Sequence, residues 1–163
     1  MPIIELETHI KAKQKIVYDL SRSIDFQSEA VRSSNERAVA GRTSGLIGLN
    51  ETVTWHGKHL GVWQHLTTRV TDFDPPLFFA DEMEKGAFKS IRHEHYFSTT
   101  IEGTLMKDIF KFQAPLGILG WLANKLFLKK YMTNFLKGRN RFLKEYAESD
   151  RWREVLPEND SYF

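Results

Sequence analysis

Residues 90–97 read SIRHEHYF, and the two histidines one residue apart are the first place to look for chemistry. In an extended strand successive side chains alternate faces, so Ile91, His93, His95 and Phe97 share one face while Arg92, Glu94 and Tyr96 share the other. Both imidazoles then lie on the apolar side. A hairpin turning at Gly86 with Met83 opposite Ile91 places Asp81 opposite His93 and Phe79 opposite His95. The run at 104–113 alternates as well, and Asp108 is the odd polar member of a face otherwise made of Met106, Phe110 and Phe112. Imidazoles beside carboxylates can form an internal polar network that fixes strand register, orient the polar end of a ligand, or transfer protons. The same side chains can supply nitrogen and oxygen to a zinc-like ion. With no cysteine, no HExxH pattern and no third placed histidine, no metal is expected.

Other chemistries find no support. No glycine-rich stretch has the spacing of a phosphate-binding loop or dinucleotide fingerprint, so neither ATP nor NAD is expected, and no Ser, His and Asp arrangement suggests a hydrolase. No cofactor and no catalytic residue is assigned. The absence of cysteine removes disulfides and thiolate chemistry. A net charge of +2 is too small to argue for nucleic acid. Between Asp108 and Glu145 there is no acidic residue, yet Lys111, Lys125, Lys129, Lys130, Lys137, Arg139, Arg141 and Lys144 occur. Such a bias reads first as a solvated helix face and second as a weak contact with anionic membrane. The start MPIIELETHIKAK lacks the pattern of a signal peptide, and no stretch approaches the ~20 apolar residues of a membrane span, so a cytoplasmic location is expected.

The positioning elements can be read from periodicity. IIELETHI at 3–10 alternates with Ile4, Leu6, Thr8 and Ile10 on one side, as a strand does. Ile16, Val17, Leu20, Ile24 and Phe26 then follow helical spacing, predicting one or two short helices. Residues 29–50 hold three glycines and show no sustained period, which predicts a long mobile connection with a helical turn. From Glu51 to Gln113 the chain reads as an antiparallel meander turning near Gly61, Gly86 and Gly103, interrupted by DPP at 74–76. From about Leu116 to Glu148, Leu119, Leu122, Leu126, Tyr131, Phe135, Phe142 and Tyr146 outline one long helix. The chain of 163 residues is thus a single α+β domain at 1–150 with an acidic, partly mobile tail at 151–163, where Trp152 and Leu156 can dock.

This order of elements, together with LFFADEMEKGAFKSIRHEHYF and EGTLMKDIFKFQAPLGILG, resembles the SRPBCC helix-grip superfamily, which includes START-type lipid carriers, birch-pollen-allergen-like proteins and polyketide cyclases. Small bacterial SRPBCC ligand-binding proteins are the nearest resemblance. It covers nearly the whole chain and is carried by Asp81, Gly86, Phe88, His93, His95, Gly103, Thr104, Asp108, Pro115 and Gly117. The resemblance implies a seven-stranded antiparallel sheet gripping the long helix around an apolar cavity, and it implies no particular reaction. The expected function is binding of a small hydrophobic or amphipathic molecule, lipid-like or polyketide-like, for carriage, sensing or sequestration. His93, His95, Asp81 and Asp108 are expected to hold its polar end, and Trp55, Met83, Met106 and Phe110 its apolar body. Trp63 and Trp121 are further aromatic candidates. The alternative is a cyclase or dehydratase acting on an aromatic or polyketide-like substrate through the same His and Asp groups.

Overall fold

The computed structural model describes residues 1–114 and 124–163, with side chains for all of these except 124 and 125. Among the described residues seven strands form one antiparallel sheet in the order β1-β7-β6-β5-β4-β3-β2. The strands are β1 (Ile3–Ile10), β2 (Arg37–Gly41), β3 (Thr52–His59), β4 (Val62–Asp74), β5 (Phe78–Lys85), β6 (Ser90–Thr99) and β7 (Thr104–Gln113). Two short helices, α1 (Gln14–Ser21) and α2 (Ile24–Ala30), follow β1, and the long helix α3 (Lys129–Glu148) follows a π-helical turn at Asn124–Leu128. This is the α+β helix-grip architecture expected. The start of the long helix expected at Leu116, with Pro115, Gly117, Leu119, Trp121 and Leu122, lies outside the described residues.

The meander folds because each turn carries the residues its geometry needs. Leu60 and Gly61 both have positive φ and join His59 to Val62 as a two-residue hairpin, the conformation that matches the twist of the flanking strands. Two register shifts interrupt the β4–β5 pairing, one with Glu84 as the extra residue on β5 opposite Thr67/Thr68 and one with Thr71 as the extra residue on β4 between Val70 and Asp72. Extra residues on one strand increase local twist and bend it, so they curve the sheet over α3. On the outer face Arg92 bridges Asp72, Glu82 and Glu94 from three neighbouring strands, which also favours a single register.

The inner face follows the alternation read from sequence. Met106, Asp108, Phe110 and Phe112 of β7 are all buried, and the register pairs Asp81 with His93 and Phe79 with His95. Opposite them α3 presents Leu136, Asn140, Leu143, Tyr146 and Ala147. Leu126, expected on this stripe, is exposed together with Phe127. Both sit in the π-helical turn, whose wider ring rotates the side chains out of the register a continuous α-helix keeps.

Two further expectations are corrected. Residues 29–50 are not one irregular connection: they hold the end of α2, a 3-10 turn at Arg32–Ser34 and the edge strand β2. Nor is the tail loose: Trp152 and Leu156 dock in the main core, as the sequence allowed, and Tyr162 joins them, its hydroxyl donating to Asp19 at 2.6 Å.

Candidate functional site

Asp108 is the centre of the site because β6, β7 and α3 converge on it. Its Oδ1 accepts a hydrogen bond from His93 Nε2 at 2.9 Å, and Oδ2 accepts one from Asn140 Nδ2 at 2.7 Å. His95 Nδ1 also lies 2.9 Å from Oδ1, but without the alignment of a hydrogen bond, so the contact is ionic. Arg139 Nη2 is 3.6 Å from the same oxygen. On the other side of His95, Nε2 lies 3.4 Å from Asp81 Oδ2. The imidazoles sit face to face at a tilt, 3.8 Å between centroids, with His95 stacked on Phe79 and His93 edge-on to Phe110. Asp108 is 1% exposed, whereas the Asp81 side chain is 23% exposed, so the two carboxylates occupy the back and the front of the cluster.

Burial and charge act on these groups in opposite directions. Burial would raise the Asp108 pKa, but the hydrogen bond from His93 and the contact with His95 hold it well below the usual carboxylate range. Burial would likewise strip the proton from His95, yet Asp108 and Asp81 raise its pKa above the ordinary value. His93 goes the other way: desolvation, reinforced by the charge on His95, pushes it down to about 4. Asp81, opposed by burial, is lowered chiefly through His95. At neutral pH His93 is therefore neutral, and with His95 in the protonated form that the two carboxylates favour, one imidazolium and one guanidinium balance the charges of Asp81 and Asp108. That balance is what allows ionic groups to remain desolvated.

The cluster forms one wall of a cavity of about 360 Å³ between the sheet and α3. Asp81, His93, His95, Trp55 and Phe110 line it, as does Arg139. The other proposed contacts lie elsewhere. Asp108 stands behind the histidines. Met83 packs in the apolar cluster around Ile91 and Phe112, and Met106 is fully buried in the main core, accepting from Ser21 Oγ. Trp63 is exposed and stacks on His56. Trp121 lies outside the described residues.

Sequence reasoning missed Arg139 and Asn140. Asn140 gave the same signal as Asp108, a polar residue on a buried stripe, here between Leu136 and Leu143. Arg139 was counted with a solvated basic face, although its side chain is only 13% exposed. Arg139 Nε, Asn140 Oδ1 and His95 Nδ1 are buried and find no hydrogen-bond partner among the described residues. A second polar group lines the cavity: His59 bonds Glu36 through Nε2 and Tyr131 through Nδ1, the latter at 2.8 Å. Gly57 makes this possible, since a Cβ there would collide with the Glu36 side chain.

No family model matches the chain, and no curated protein matches it. Solved structures do. The chain is similar to the di-domain ARO/CYC StfQ from the steffimycin biosynthetic pathway, at 15% identity and a TM-score of 0.73 over 90% of this chain and 50% of that one. It is also similar to ginseng major latex-like protein 151 from Panax ginseng, at 13% identity and a TM-score of 0.61 over 91% and 98%. TTHA0849 from Thermus thermophilus aligns at 19% identity and a TM-score of 0.64 over 87% and 97%. At these identities the likeness shows the fold alone, an antiparallel sheet gripping a long helix. No helix among the described residues is long and apolar enough to cross a membrane.

Proposed function

We propose that the protein binds a small hydrophobic or amphipathic molecule between its sheet and α3, for carriage, sensing or sequestration. The observation that carries this reading is the cavity itself: about 360 Å³, largely apolar, with the Asp81, His93, His95 and Arg139 cluster on one wall and the His59, Glu36 and Tyr131 group as a second polar patch. Pockets that hold small molecules have this size and this division between apolar lining and a few placed polar groups. In this reading Trp55 and Phe110 contact the apolar body, and Asp81, His93 and Arg139 receive the polar end. Asp108 holds the histidines from behind.

Native mass spectrometry of gently purified protein, followed by denaturation and identification of what is released, tests this directly. A reproducible organic adduct is the expected result. Failure of a panel of lipid-like and aromatic compounds to quench tryptophan emission at concentrations up to about 1 mM, the weak end of specific binding, would contradict it.

A second reading is a cyclase or dehydratase. Its support is the neutral His93 beside His95, whose protonated form the neighbouring carboxylates favour, so that a proton acceptor lies next to a donor on the wall of an apolar cavity, in a fold shared with an ARO/CYC protein. Turnover of an aromatic or polyketide-like substrate, lost on replacing either histidine, would favour it over simple binding.

A further inference from the structure

We propose that Asp81, His93 and His95 form a divalent-metal site in the cavity wall, two imidazoles and one carboxylate with the remaining coordination positions open to the cavity. The inference rests on the cavity being a binding site and names chemistry within it. One ligand atom from each of the three residues can be chosen so that all lie within 4.8 Å of one another. The sequence offered these residues without a geometry; the observed register supplies it, with Asp81 of β5 opposite His93 of β6.

The surroundings are those a metal-binding pair of histidines needs. Ligating histidines present one nitrogen to the metal and turn the other to a carboxylate or carbonyl, which fixes the tautomer and the ring plane. Here a single buried carboxylate meets both rings: Asp108 Oδ1 accepts a hydrogen bond from His93 Nε2 at 2.9 Å and makes an ionic contact with His95 Nδ1 at 2.9 Å. That leaves His93 Nδ1 and His95 Nε2 as the lone-pair nitrogens, and the second of these is the one facing Asp81. Asn140 braces Asp108 from α3. A set of two nitrogens and one oxygen without sulfur suits first-row divalent ions such as Zn²⁺, Co²⁺ or Fe²⁺.

Charge then specifies what completes the coordination. With neutral histidines, Asp81 and Asp108 outweigh Arg139 by one negative charge, and a divalent ion reverses this to one positive charge. An anionic oxygen on the open side restores neutrality. Arg139 lines the same cavity, and its guanidinium can donate to such an oxygen. The ligand class is therefore a molecule with an apolar body and an ionisable oxygen, such as a carboxylate or an enol.

The test is titration of chelator-treated protein with Co²⁺, followed by visible absorption, and with Zn²⁺ by calorimetry. One equivalent is expected, with affinity reduced at least about tenfold in His93→Gln, Asp81→Asn and Asp108→Asn, the range seen when metal ligands or their supporting groups are removed. Asp81→Asn is the variant to rely on should a buried-histidine variant fail to fold, because Asp81 is the most exposed of the group. His56 and His65, stacked 4.3 Å apart, are a possible adventitious pair. A double His56→Gln, His65→Gln variant should bind the metal unchanged. No saturable signal up to about 1 mM, or a signal lost only in that double variant, overturns the site. An apolar fluorescent dye added to metal-free protein separates the two ideas. Dye uptake without cobalt binding overturns the metal site and leaves the cavity reading standing; cobalt binding without dye uptake upholds the site and removes the cavity reading.

Discussion

Acidification of metal-free protein should destabilise it through His93, before the bulk of the carboxylates titrate. His93 is faced by His95 on its own strand, Asp81 on β5, Asp108 on β7 and Arg139 on α3, and its pKa falls from an ordinary 6.5 to about 4. A depressed histidine contributes stability in full above its unfolded value and loses it as the pH falls towards the folded value. Between these limits the unfolded chain binds a proton that the folded chain refuses, which amounts to about 3 kcal/mol in total. His95 behaves oppositely. Its raised pKa makes its contribution complete below 6.5 and lost only as the pH rises through the folded value, so it is constant across the window. Asp81 and Asp108 are lowered, and their contributions decline only below the usual carboxylate range. Urea unfolding of the wild type and of His93→Gln, measured with chelator between about pH 7 and pH 4.5, isolates the effect because groups outside the cluster cancel in the difference. The variant should lack most of the wild-type loss. Parallel curves for the two proteins would refute the assignment of a neutral, buried His93.

Asp108→Ala leaves Arg139 and His95 with Asp81 as their remaining counter-charge and should cost about 3–5 kcal/mol in urea unfolding at neutral pH; a change below about 1 kcal/mol would contradict the central role of this carboxylate. Arg139→Met should weaken binding of a carboxylate-bearing fluorescent lipid by more than about tenfold, as loss of a charged hydrogen bond does, while leaving the corresponding neutral alcohol within about twofold. Equal weakening of both probes would mean that Arg139 supports the fold rather than the ligand. Tyr162→Phe removes the hydroxyl donating to buried Asp19; the expected loss is about 1 kcal/mol, or a Tm lower by about 2–4 °C in a thermal scan.

What could be read from the sequence, and what could not, follows from where each element meets the core. β6 and β7 were legible because one face of each is buried, which makes any one-residue slip costly; the alternation is strict in β7 and is broken in β6 by Glu94, buried against Arg92 and Lys111. The same pattern carried the hairpin register and the pairing of Asp81 with His93. β2 was not legible. Four of its five residues are exposed, it lies at the edge of the sheet, and its pairing with β3 is interrupted at Ala38/Ala40, so no side-chain period survives. Arg139 was misread for a related reason. A long cationic side chain on a helix rich in lysine reads as solvated, and only the tertiary approach of α3 to Asp108 shows it turned inward.

The polar cluster was open to a purely structural reading, and the geometry divides that role between two sets of residues. Asp108 and Asn140 are buried almost completely and connect β7 to α3, so they hold the helix across the cavity from the sheet. Asp81, His93, His95 and Arg139 line the open side. The unpaired buried atoms do not follow this division, since Asn140 Oδ1 belongs to the first set and Arg139 Nε and His95 Nδ1 to the second. Exposure does follow it: the Asp81 side chain is 23% exposed and that of Asp108 1%. Substitutions should therefore separate: at Asp108 and Asn140 the first effect falls on stability, and at Asp81, the most exposed member of the group, it falls on binding.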